Sequence, residues 1–159
     1  MIKPHGSDAL NPLFVYDSAE NDALQKEAEG LASILVSSAT AANAVMLGAG
    51  YFNPLTGYMS KADALSVATD MKTASGLFWP TPVLNLVENA GNIKAGDCIA
   101  LKHPTVEGNP ILAVMDVEAI EEFSDDEMAL ITEKVYRPAK DEAHPGVDAF
   151  NSQGKVCLS

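Results

Sequence analysis

Three histidines, His5, His103 and His144, are the side chains best suited to hold a metal or to act as a general base. They are scattered along the chain, and no two stand at metal-ligand spacing. His103 and His144 each precede a proline, which biases both toward extended loop backbone. Neither shows the partner that a general base needs. Cys98 and Cys157 belong to no CxxC or Cys/His pair, so neither a metal site nor a disulfide framework is signalled, and a reduced, cytoplasmic setting is expected. Seven carboxylates and no base lie between Asp116 and Glu127, which raises the question of paired acids for proton transfer. Ser124-Asp-Asp-Glu127 answers it differently, as a helix capping box whose acids complement the helix dipole. Gly48-Ala-Gly50 has no Lys-Ser or Lys-Thr behind it and reads as a helix end rather than a phosphate loop. Ser37, Ser38 and Ser75 lack a nucleophile-elbow pattern. Trp79, within Gly76-Leu-Phe-Trp-Pro-Thr-Pro-Val83, suits core packing in the simpler reading and a contact surface for another domain in the sharper one.

The elements that must position these residues divide into a helical first half and a strand-rich second half. Asp17 or Ser18 can cap a helix running to about Glu29, stopped by Gly30, and Ile34-Leu-Val36 forms a short β-like run. Ser37 or Ser38 opens a second helix to Gly48, residues 50–59 read as a turn-rich loop, and Ser60 starts a third helix through Ala64, Leu65, Ala68 and Met71. From Thr73 onward, strands are predicted at Val83 to Val87, Cys98 to Leu101 and Ile111 to Val117, divided by turn residues. A helix follows from the capping box to about Tyr136, then a polar loop over Arg137 to Gly146 and a closing strand over Lys155 to Leu158. The pattern predicts one α+β domain with a mainly antiparallel β half, built as a small barrel or sheet, and several short helices.

The 159 residues suffice for one substantial core. Twenty-two acidic against 10 basic side chains give a net charge of −12, a field that repels polyanions, so no nucleic-acid partner is expected. The first residues carry one lysine but are broken by Pro4, Gly6, Asp8 and Pro12 before any apolar run, unlike a signal peptide. Residues 30–60 hold no charged side chain, yet their serines, glycines and Asn43 keep them short of a continuous apolar span of about 20 residues, so no membrane partner is expected.

Nearly the whole chain, from about Lys3-Pro-His-Gly6, resembles ATP sulfurylases. Gly50-Tyr-Phe-Asn-Pro-Leu-Thr-Gly-Tyr-Met59, Leu77-Phe-Trp-Pro-Thr-Pro-Val83, Gly96-Asp-Cys-Ile-Ala-Leu101, Val135-Tyr136 and His144-Pro-Gly-Val147 follow one another as in that family. The resemblance implies a single PUA-like amino-terminal domain over residues 1–159, with the catalytic domain of the same polypeptide following it. It also implies the family reaction, attack of sulfate on the α-phosphorus of MgATP to give adenosine 5′-phosphosulfate and pyrophosphate. The family carries that chemistry on a Gln-x-Arg-Asn and a His-x-Gly-His segment, neither of which occurs here: the sole arginine is Arg137, and Gln25 and Gln153 have no Arg-Asn after them. No catalytic, metal or cofactor-binding residue is therefore assigned, and MgATP belongs to the catalytic part. The residues expected to meet that part are Tyr51, Phe52, Tyr58, Met59, Trp79, His144, Pro145 and Gly146. An uncovered patch of this kind would also favour a homo-oligomer. A free-standing RNA-binding module, a common use of PUA-like folds, is the alternative, and it would require a basic groove that this sequence lacks.

Overall fold

The computed structural model describes residues 2–136 and 144–159. Its helices begin where short polar side chains satisfy otherwise unpaired amides. Asp17 caps α1 (Ser18–Ala28), Ser37 caps α2 (Ser38–Gly48), Ser60 caps α3 (Lys61–Asp70), and Ser124 with Glu127 forms the capping box of α4 (Asp125–Val135). In place of the end of the expected polar loop there is a further helix, α5 (Pro145–Asn151), with His144 as its cap. The proline ring presets φ at the first helical position, where no amide is needed, so Pro145 and Gly146 start a helix rather than end a loop. The rest of that expected loop, 137–143, lies outside the described residues.

The strands form two open three-stranded sheets, with no closed barrel among the described residues. In the first, β3 (Cys98–Lys102) lies between β1 (Ala32–Leu35) and β4 (Ile111–Asp116). β1 runs parallel to β3, pairing Ala32 with Ile99, while β4 runs antiparallel to it. In the second sheet β6 (Val156–Leu158) lies between β2 (Leu86–Val87) and β5 (Ile120–Glu122), antiparallel to both. The strand expected from Val83 is shorter because its first residue bonds elsewhere, the Val83 carbonyl accepting from Met59 N, while the Asn85 carbonyl accepts from Leu158 N of β6. β5 had no counterpart in the expectation, since its Glu121 and Glu122 read as solvated acids.

Between the sheets and the helices lies one core that includes Ile99, Leu101, Phe123, Ile131 and Leu158, each at most 1% exposed. Cys157 is part of this core, where loss of hydration and the nearby Glu121 charge push its thiol up to about 12 from an ordinary 9.0. Cys98 is exposed at the start of β3. Partial desolvation and a hydrogen bond to Asp116 raise its pKa as well. We expect Ellman's reagent at pH 8 to titrate Cys98 slowly in the native protein and Cys157 only after denaturant is added. Two equally fast native thiols would contradict this packing. The Cys157 proton is held more tightly in the folded than in the unfolded chain, so its contribution to stability is complete below pH 9.0 and is lost as pH climbs toward 12. Among the described residues no helix is long and apolar enough to cross a membrane.

Candidate functional site

The motif residues, far apart in sequence, gather at two places. The first is organised by Asn53, whose side chain is 7% exposed. Its amide nitrogen donates to the His5 carbonyl (3.1 Å) and to Ser7 Oγ (2.6 Å), and its oxygen accepts from Asn11 N (3.2 Å). One buried amide thus fastens the amino-terminal segment to the 50–59 loop and has its hydrogen-bonding capacity largely filled. His5 Nε2 donates to the Phe78 carbonyl at 2.8 Å, and the His5 ring lies 6.1 Å from that of Trp79. Phe52 meets Trp79 edge to face at 5.8 Å. Gly6, at φ +68°, lies where a Cβ would come within 3.0 Å of Leu77 and Pro54, so the close approach of the three segments requires glycine. Lys3-Pro-His-Gly6, the 50–59 loop and Leu77 to Val83 therefore form one cluster.

The second cluster joins the end of α4 to the start of α5. The Tyr136 ring lies 6.0 Å from His144 and 6.1 Å from Phe150, and a Cβ at Gly146 would come within 2.9 Å of Tyr136 Cε1. His144 is exposed and its Nδ1 accepts from Gly146 N at 3.1 Å, so this nitrogen is occupied in capping. A small cavity of about 80 Å³, lined by Thr81, Pro82, Tyr136 and Phe150 among others, connects the two clusters.

The eight residues expected to meet another domain separate by burial. Tyr58, Met59 and Trp79 are 9%, 3% and 7% exposed and pack into this chain's own core. Tyr58 Oη donates to the Thr40 carbonyl at 2.9 Å, and burial pushes its hydroxyl well above the usual range. The Met59 amide donates to the Val83 carbonyl. Tyr51, by contrast, is 75% exposed, Phe52 and Gly146 are half-buried, and His144 and Pro145 are exposed.

Several of the titratable residues are occupied structurally. Glu121 accepts from the Lys61 amide at 2.8 Å, Asp125 pairs with Lys155, and His103 Nδ1 accepts from Thr105 N at 3.3 Å. Glu127 accepts from Lys61 Nζ and from the Ser124 amide, in that order the causes that hold its carboxyl below the ordinary value. Among the described residues no group of histidine, cysteine and carboxylate side chains is placed to hold a metal ion. Such an arrangement can bind a surface.

The PUA-like domain family model matches residues 2–159. A sulfate adenylyltransferase of Allochromatium vinosum is 57% identical over 159 residues, covering 100% of this chain and 40% of the relative. Another from the Riftia pachyptila sulfur-oxidizing endosymbiont is 52% identical over the same stretch, 36% of its length, and one from Entamoeba histolytica is 34% identical over 98% of this chain and 38% of its own. The chain thus spans about two fifths of the length of these relatives. A solved structure described as a hexameric APS kinase from Thiobacillus denitrificans superposes with a TM-score of 0.63 at 26% identity, over 80% of this chain and 24% of that one. The fold of two small sheets with capped helices, the motif clusters and the end-to-end match agree: this chain belongs to the PUA-like domain family, in the form found as the amino-terminal domain of sulfate adenylyltransferases.

Proposed function

We propose that this chain is a single accessory domain that supports the catalytic part of a sulfate adenylyltransferase polypeptide without carrying the chemistry itself. The observation behind this reading is the coverage: the whole chain matches, and only 40% of the Allochromatium vinosum relative is accounted for. In the proposed reaction a sulfate oxygen attacks the α-phosphorus of MgATP, forming the phosphosulfate bond as the bond to pyrophosphate breaks. Two polyanions meeting at one phosphorus need cationic side chains and Mg²⁺ around the transferred group. A chain at −12 with one arginine is suited to holding such a site from outside rather than lining it. MgATP is accordingly placed on the catalytic part, and the same charge balance gives the RNA-binding alternative no support.

Tyr51, Phe52, His144, Pro145 and Gly146 are proposed as contacts to the catalytic part, with Tyr58, Met59 and Trp79 behind them as the packed support. The hexameric state of the structural relative supports assembly of the complete polypeptide into a homo-oligomer. We expect the purified chain to form no ATP from adenosine phosphosulfate and pyrophosphate in a luciferase-coupled assay, while a polypeptide that also carries the catalytic part does. Turnover by the chain alone at a rate comparable with the complete enzyme would refute the accessory reading.

A further inference from the structure

A cleft of about 710 Å³ runs beside β4 and is bordered on one side by residues 54–59 of the first motif cluster. It is lined by Leu112, Ala113, Val114, Met115 and Asp116 in unbroken succession. Successive side chains of a strand point to opposite faces, so five consecutive residues share one cleft only where it follows the strand's edge. β4 is an outer strand, paired with β3 alone. Main-chain hydrogen bonds beyond that ladder stop at Pro110 and resume at Val117, so among the described residues the outward amides and carbonyls of β4 have no protein partner.

The far wall is apolar. Leu13 and Phe14 hang their amides on the Gly48 carbonyl (2.8 and 3.1 Å), and the Phe14 ring lies where a Gly48 Cβ would come within 2.3 Å. With Val45 these side chains remain 39–45% exposed along the cleft. Asp63, Asp116 and Glu118 are its charged lining, with no lysine, arginine or histidine among them. A free strand edge facing an apolar wall takes up an extended segment: the main chain supplies hydrogen bonds and alternate side chains fill the groove.

We propose that β4 accepts, as a fourth strand of its sheet, an extended segment with alternating apolar side chains flanked by Lys or Arg, supplied by the catalytic part of the sulfate adenylyltransferase polypeptide; this rests on the function proposed above. Charge decides the occupant. A site built for two polyanions makes the catalytic part the electropositive partner. A second copy is disfavoured, because two chains of −12 each repel one another.

The test replaces the matching 159 residues of the Allochromatium vinosum enzyme with this chain and compares amide hydrogen exchange in the fusion and in the chain alone. The outward amides of residues 111–116 are expected to exchange freely in the chain alone and to slow by on the order of 100-fold in the fusion. The fusion variant Asp116→Lys/Glu118→Lys is expected to lose most of that protection, and Glu133→Lys, on an exposed position of α4, to keep it. An active fusion whose β4 amides exchange as in the chain alone overturns the proposal and leaves the accessory function standing. A folded fusion without adenylyltransferase activity overturns both. Protection in the isolated chain that grows with its concentration also overturns the proposal, in favour of a second copy.

Discussion

Gly154→Ala is expected to destabilise the chain by about 3–5 kcal/mol, the sum of a strained backbone and an overpacked contact. Gly154 adopts φ +98°, and a Cβ there would lie 2.3 Å from the Val87 carbonyl oxygen and 2.5 Å from Glu88 N. Both obstacles are main chain at the end of β2, so no side chain can rotate away. Relief requires β6 to move off β2, and that breaks the Leu86–Cys157 and Val87–Val156 pairs. Gly91 is the control: it too has positive φ, +59°, but nothing lies within 4 Å of its Cβ position. Gly91→Ala should cost only about 1–2 kcal/mol of left-handed strain. Urea titration followed by emission of Trp79, the sole tryptophan, reads both variants. Equal losses would show that the approach to Val87 is not what demands glycine at 154.

Asn53→Ala removes three hydrogen bonds that tie residues 5–11 to the 50–59 loop. At about 1 kcal/mol net for each bond, a loss of roughly 2–4 kcal/mol is expected. The effect should also be local. Faster proteolysis within residues 2–12 and easier acrylamide quenching of Trp79 are expected, because the His5 ring that covers the indole departs with the segment. Asn53→Asp keeps the acceptor for Asn11 N but sets a carboxylate oxygen against the His5 carbonyl in a buried site, so it should lose at least as much as Asn53→Ala. A variant with unchanged proteolysis and quenching would show that the segment is held by its apolar contacts instead.

Sequence legibility followed the range of the interactions. The caps at Asp17, Ser37, Ser60 and Ser124 act on amides two or three residues away, and the helices they start were readable to within a residue or two. β5 was not, because its partner β6 lies more than 30 residues on and its own acids suggested solvent. The parallel pairing of β1 with β3 joins residues 67 apart, and no local pattern announces it. The motif residues were picked out individually, yet their meeting around Asn53 depends on contacts such as His5 with Phe78, 73 residues apart. Trp79, for which core packing is the simpler reading, is buried by its own chain, as is Tyr58, since the turn-rich loop folds back on the segment before β2. The β4 cleft had no sequence signal at all, because an edge is defined by which strand is absent beside it.

The middle position of β6 in the second sheet has a consequence for synthesis. β2 and β5 do not touch as a pair; each bonds to residues 156–158, the last of the described strands to leave the ribosome. A nascent chain that has already emerged past Glu122 holds both outer strands with nothing between them, exposing apolar groups such as Leu86, Ile120 and Phe123 until Leu158 arrives. The first sheet can zip as soon as β4 is out, so the fold matures in two steps, the second waiting for residues 156–158. Removing residues 156–158 alone would leave β2 and β5 each without a strand partner among the described residues.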